Sequence, residues 1–143
     1  MERQHTTYGA EQTRELGRRC GEELQPGDLI TLEGPLGAGK TTFTQGIARA
    51  LGLASDVVSP TFVLIIEHLG HVPLLHLDAY RLENQCHDAV RDAGVLDFLD
   101  REDAVKLVEW PERIADFLPV PRLRVIIAPG PGADERNITI TRQ

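Results

Sequence analysis

The stretch that decides the fold is "LITLEGPLGAGKTTF", Leu29 to Phe43. "LITL" is a short apolar run preceded by the turn signal "QPGD" (Gln25 to Asp28), so it reads as a buried strand. The segment "GPLGAGKT" then fits G-x-x-x-x-G-K-[ST] at Gly34, Gly39, Lys40 and Thr41. Beyond it, Phe43, Ile47, Ala50 and Leu51 recur at helical spacing, and Gly52 is placed to end the helix. Glycines in such a loop let backbone N–H groups turn toward an anion with no side chain in the way. The helix start adds N–H groups without acceptors and the positive end of the helix dipole. Lys40 supplies a charge for the β- and γ-phosphates, and the Thr41 hydroxyl is the expected magnesium ligand. A chance turn that holds a lysine would need neither the strand before it nor the helix after it. The loop is therefore expected to hold a nucleoside triphosphate.

Working outward, Thr13, Leu16, Gly17, Cys20 and Leu24 repeat at helical spacing and predict an amphipathic helix from about residue 10 to 24. Downstream, "FVLII" (Phe62 to Ile66) and "LLHL" (Leu74 to Leu77) flank a turn and predict a hairpin. Residues 83–100 read as short helical pieces around Gly94. "AVKLV" (Ala104 to Val108) is a further strand, and "PERIADFL" opens with a proline suited to a first helical turn. "LRVII" and "NITIT" are strands joined by the loop "APGPGADER". The expected architecture is α/β: a P-loop NTPase-like three-layer fold with a mostly parallel central sheet and antiparallel edge strands. A length of 143 residues suits one P-loop ATPase domain over 1–143.

The net charge of −7 argues against a surface that grips nucleic acid throughout. Arg113, Arg122 and Arg124 are close in sequence and could form a local basic patch, although a solvated face is the favoured reading. No apolar run approaches the roughly 18 residues that would span a bilayer, and "MERQHTTYGAEQTRELG" carries no apolar signal core. The expected setting is cytoplasmic, with no membrane partner. Cys20 and Cys86 are read as reduced thiols without a stable disulfide, Cys20 on a core face with Leu16 and Leu24.

No N-K-x-D sequence for guanine is present, which favours ATP. A small-molecule kinase would carry an arginine-rich lid, yet residues 83–103 hold only Arg91 and Arg101. Three further segments bear on the chemistry. In "SPTF", Pro60 holds Ser59 extended, and Thr61 enters a strand with a hydroxyl that could approach the γ-phosphate; an ordinary turn would look the same. In "LLHLDAYRL", Asp78 follows an apolar strand as a Walker B aspartate does. If the chain stays extended, His76, Asp78 and Tyr80 share one side, while a turn or cap is the bland alternative for Asp78. A zinc site from His68, His71 and His76 lacks a suitably spaced fourth ligand. In "KLVEWPERI", Glu109 lies just past a strand, where open α/β sheets place ligands, and could bind magnesium or orient water. Trp110, the one tryptophan, is either core or partly exposed.

Taken together, these segments resemble the TsaE (YjeE-like) family, the small ATPases of bacterial threonylcarbamoyl-adenosine tRNA modification. The resemblance rests on "GDLITLEGPLGAGKTTFTQGIARALG", "VSPTFVLIIEH", "HLDAYRL" and "LVEWPERI", in the family's order. It implies that Gly37, Ala38, Gly39, Lys40, Thr41 and Thr42 hold the phosphates of ATP. It implies that Thr41 and Glu109 handle Mg2+, with Asp78 supporting the metal or the water, and that Glu109, Asp78 and Lys40 are the catalytic set. Thr61 and Trp110 would be nucleotide-responsive or partner-facing, and Arg136 in "GADERNITI" would reach the nucleotide. The implied partners are TsaD and TsaB, whose turnover the hydrolysis serves; tRNA is met only through them. An independent kinase and a nucleotide-sensing adaptor are the alternatives. The sequence departs from the family after Leu82, where "ENQCHDAVRDAGVLDFL" replaces a more acidic stretch.

Overall fold

A computed structural model describes residues 1–53, 65–82 and 87–143. The strands are β1 (Glu2–Thr7), β2 (Leu29–Glu33), β3 (Ile65–His68), β4 (Leu74–Asp78), β5 (Val105–Glu109), β6 (Leu123–Pro129) and β7 (Arg136–Arg142). The helices are α1 (Ala10–Glu22), α2 (Lys40–Ala50), α3 (His87–Asp92) and α4 (Val95–Leu99), with 3-10 helices at Tyr80–Leu82 and Pro111–Phe117. The seven strands among the described residues join one sheet in the order β1-β7-β6-β2-β5-β4-β3. β6, β2, β5 and β4 run parallel. β1, β7 and β3 are antiparallel to their neighbours and form the margins.

Alternation along β2 explains the layers. Leu29 points to one face and joins Leu75, Leu77, Val108, Val95, Phe98 and Ile114. Ile30 and Leu32 lie in the cluster on the other face, with Leu107, Val125, Phe43, Ile47 and Cys20. A sheet buried on both faces needs near-continuous apolar strands, which is what "LITL" and "VKLV" supply. On the second face α1 and α2 pack against each other at very short range. A Cβ on Gly17 would strike the Phe43 carbonyl, and one on Gly46 would strike the Arg14 carbonyl. These glycines let two helices share the space above β2 and fix where α2 begins.

Several expectations change. β1 was not foreseen: its residues "ERQHTT" are mostly exposed, and it is held by backbone pairing to β7. The first helix ends at Glu22, though Leu24 still packs into the core. The three arginines do not merge into one patch. Arg124 pairs with Glu33 at 2.6 Å, Arg122 donates to the Gln143 carbonyl at 2.6 Å, and Arg113 lies over Tyr80 and Trp110. Cys20 is a buried free thiol. Ser59, Pro60, Thr61, Phe62 and Cys86 lie outside the described residues. Among the described residues no helix is long and apolar enough to cross a membrane.

Candidate active site

The glycine loop leaves the C-terminal end of β2 and enters α2 at Lys40. Gly34 is forced by proximity, because a Cβ there would lie 2.5 Å from the Ile127 carbonyl oxygen on β6. Gly39, at φ 106°, takes the left-handed turn that starts α2, and it offers no side chain to cap the helix. The first-turn N–H groups of a helix have no intrahelical acceptor. Here those N–H groups belong to Lys40, Thr41 and Thr42, and Thr41 is exposed.

Register brings the acids to this loop. β5 lies beside β2 with Glu109 opposite Leu32, and β4 lies beside β5 with Asp78 opposite Glu109. Three adjacent parallel strands therefore end in the loop, Glu109 and Asp78, in that order. Glu109 is the last residue of β5 rather than one beyond it, and it is only 4% exposed. Its Oε2 lies 2.8 Å from His76 Nε2, which is also buried. Tyr80 does not continue the strand. The Asp78 side chain accepts the Tyr80 N–H at 2.9 Å and turns the chain into a 3-10 helix, so the extended alignment of His76, Asp78 and Tyr80 stops at Asp78. Asp78 is thus the turn residue that the bland alternative named, while remaining beside Glu109.

Lys40 holds the middle of the site. Its ammonium donates to the Gly34 carbonyl at 2.7 Å and lies 4.1 Å from the centre of the Trp110 ring. Burial pushes the Lys40 pKa down, and the charges of Glu109, Asp78 and Glu112 oppose that. Burial pushes the Asp78 carboxyl up; the Tyr80 N–H opposes this, Glu109 adds to it, and His76 and Lys40 oppose it. The charges of Glu109, Asp78 and Glu112 thus all act on the Lys40 ammonium.

Trp110 is the one described non-glycine residue at positive φ, with φ 59° and ψ 49°. That conformation is costly for a bulky side chain, and it is kept where surrounding contacts over-determine it. Those contacts are visible. The Trp110 N–H bonds the Leu32 carbonyl, Tyr80 meets the ring edge-on at 4.9 Å between centroids, and Arg113 lies 5.3 Å from it. Trp110 is half-buried beside Lys40 rather than in the interior.

Arg136 does not ride on a loose loop. It opens β7, paired through its backbone with Thr7 and Pro129. Its Nε donates to the Ala38 carbonyl at 2.8 Å and its Nη2 reaches the Gly37 carbonyl at 3.5 Å. Its Nη1 donates to the carbonyls of Ala133 and Glu135. The guanidinium therefore grips the back of the glycine loop. Among the site residues named from sequence, Gly37 to Thr42, Asp78, Glu109 and Arg136 come together, and Thr61 lies outside the described residues. The His76–Glu109 contact was missed. Strand alternation signalled His76 and Asp78, but nothing local signalled the residue 33 positions away.

The groups present suit a magnesium-bound polyphosphate. Magnesium takes oxygen ligands, keeps waters, and is commonly held by one or two carboxylates plus phosphate oxygens. Asp78, Glu109 and the Thr41 hydroxyl are of that kind. Among the described residues no group of three His, Cys, Asp or Glu side chains makes a metal cage without a phosphate.

Comparison with known proteins gives a consistent picture. A family model described as "Threonylcarbamoyl adenosine biosynthesis protein TsaE" matches residues 7–138. A tRNA threonylcarbamoyladenosine biosynthesis protein TsaE from Bacillus subtilis (strain 168) is 43% identical over 136 residues, covering 94% of this chain and 82% of its own. One of the same description from Streptomyces coelicolor is 47% identical over 134 residues, covering 90% and 88%. The crystal structure of Bacillus subtilis YdiB is similar at a TM-score of 0.77 and 36% identity, over 99% of this chain and 86% of that one.

Proposed function

The chain belongs to the TsaE family, and from that premise we propose that it is a P-loop ATPase serving tRNA threonylcarbamoyladenosine formation. It binds ATP with Mg2+ and acts on a TsaD–TsaB complex to allow its turnover, without meeting tRNA itself. The observation that carries this reading is the meeting of Lys40, Glu109 and Asp78 at three adjoining strand ends.

In this reading the N–H groups from Gly37 to Thr42 receive the phosphates. Lys40 leaves the Gly34 carbonyl for the β- and γ-phosphates. Thr41, Glu109 and Asp78 hold the magnesium, which when bound neutralises charge on the transferring phosphoryl group. Glu109, fixed by its buried contact, also orients the attacking water. Arg136, the arginine expected to reach the nucleotide, is engaged with Gly37 and Ala38. Hydrolysis by the isolated chain is accordingly slow, well below the roughly 10 s⁻¹ typical of enzymes, and a partner completes or covers the site.

Titration calorimetry with an ATP analogue tests the binding half. Lys40→Ala should weaken affinity by about one to two decades, the worth of a charge-assisted contact, at an unchanged melting temperature. Equal affinity would reject the site. Size-exclusion runs with TsaD and TsaB, with analogue, ADP or no nucleotide, test the partner half. A complex formed only with the triphosphate supports it; ATP loss accelerated by a small hydroxylated metabolite, with no complex in any state, would favour a kinase.

A further inference from the structure

We propose that His76 is a positioning residue for Glu109: it pins one carboxylate oxygen so that the other is presented to the metal and the attacking water. The inference rests on the P-loop ATPase reading and adds a residue to it. His76 sits on β4 opposite Leu107, and Glu109 is two residues further along β5, opposite Asp78. The two side chains are thus diagonal neighbours on one face of the sheet. His76 Nε2 lies 2.8 Å from Glu109 Oε2, and both side chains are 5% exposed or less. A carboxylate only accepts, so this contact is a hydrogen bond in the forms of the ring that carry a proton on Nε2. Nδ1 is buried without a hydrogen-bond partner among the described residues.

That last detail separates the proposal from core filling. An imidazole buried with one nitrogen unsatisfied costs stability that an apolar side chain of similar size would not. Leu74 and Leu107 pack in the apolar cluster on this same face. What His76 does that a leucine would not is donate to Glu109. Among the described residues, the side-chain hydrogen bond that fixes the Glu109 rotamer is the one to His76. Oxygen Oε2 is taken by the imidazole, which leaves Oε1 for a ligand.

The test uses the full chain and four variants: His76→Leu, His76→Gln, Glu109→Gln and the double variant H76L/E109Q. Glutamine can place its amide N–H close to where Nε2 stands. Two quantities are read: the gain in ATP-analogue affinity between EDTA and magnesium, by calorimetry, and single-turnover hydrolysis. His76→Leu should lower both by about 10–100-fold, the usual cost of removing a group that orients a metal ligand, while affinity in EDTA stays at the parent's value. His76→Gln should recover most of the loss. In the Glu109→Gln background, His76→Leu should add less than about twofold, because it acts only through Glu109. Equal factors in both backgrounds overturn the proposal. So does a glutamine variant as impaired as leucine with EDTA affinity and melting temperature falling together, which is a structural role. If the parent itself neither binds the analogue nor gains from magnesium, the ATPase reading fails, and His76 has no reaction to serve.

Discussion

Arg136→Ala distinguishes a loop clamp from a catalytic cation. The guanidinium makes one well-formed hydrogen bond to the glycine loop, to the Ala38 carbonyl at 2.8 Å, and one at the limit, to Gly37 at 3.5 Å. A charged hydrogen bond contributes about 1.5–3 kcal/mol net, and the low end applies to this partly exposed side chain. The 3.5 Å contact adds little. A loss of about 1.4 kcal/mol is tenfold in Kd. In the ATPase reading the Gly37–Ala38 backbone would serve ADP and ATP alike, so both ligands should weaken by about that tenfold factor. The β7 pairing is made by the backbone at this position and survives the substitution, so the chain should still fold, while loss of the contacts to Ala38, Ala133 and Glu135 should lower the melting temperature by a few degrees. Calorimetry with ADP and a non-hydrolysable ATP analogue measures the pair of constants. If the analogue alone weakens, Arg136 leaves the loop for the γ-phosphate and the clamp argument is wrong. No change for either ligand would be equally fatal to it.

Trp110 should report which nucleotide is bound, because Lys40 lies 4.1 Å from its ring and must move to reach a phosphate. Its emission should differ between the ADP and ATP-analogue complexes, and identical spectra would place it outside the responsive part of the site. Gly46→Ala should destabilise the fold despite alanine's better helix propensity, since the new methyl meets the Arg14 carbonyl. Overpacking of about 2 kcal/mol should lower the melting temperature by roughly 5 °C, and a rise would show that α1 and α2 can part at no cost. Charge balance makes a further demand on the ATPase reading: Lys40 is the cation whose charge acts on Asp78, and turning it to the phosphates would leave Asp78 and Glu109 to be balanced by magnesium. In EDTA the ATP analogue should therefore bind no better than ADP, in magnesium it should bind better, and Asp78→Asn should shrink the difference; a ratio indifferent to magnesium would sink the linkage.

The fold was legible wherever side chains carried a period. α1, α2 and the parallel strands bury apolar faces, and burial leaves a pattern in the sequence. β1 was not legible because its side chains bury little. "ERQHTT" joins the sheet through backbone hydrogen bonds to Arg136–Thr141 at the other end of the chain, and backbone groups are the same for every sequence. The same limit explains Arg136. "APGPGADER" announced a loop, but Ala128 and Pro129 belong to β6 and Arg136 to β7, because pairing register sets where the strands stop.

The site divides along the same line. The glycine loop was readable because one contiguous stretch carries both its shape and its charge. Glu109 and Asp78 were each readable as acids at strand ends, but their adjacency was not. It follows from strand order, in which β5 rather than β4 takes the place beside β2. That order puts Glu109 opposite Leu32, one step from the loop, and puts Asp78 behind it. Strand order also places His76 diagonal to Glu109, so the strand that carries the more distant acid supplies the donor that steadies the nearer one. The second role of β4 thus comes from pairing, in a strand whose local signal named His76 and Asp78 but not the acid that His76 meets.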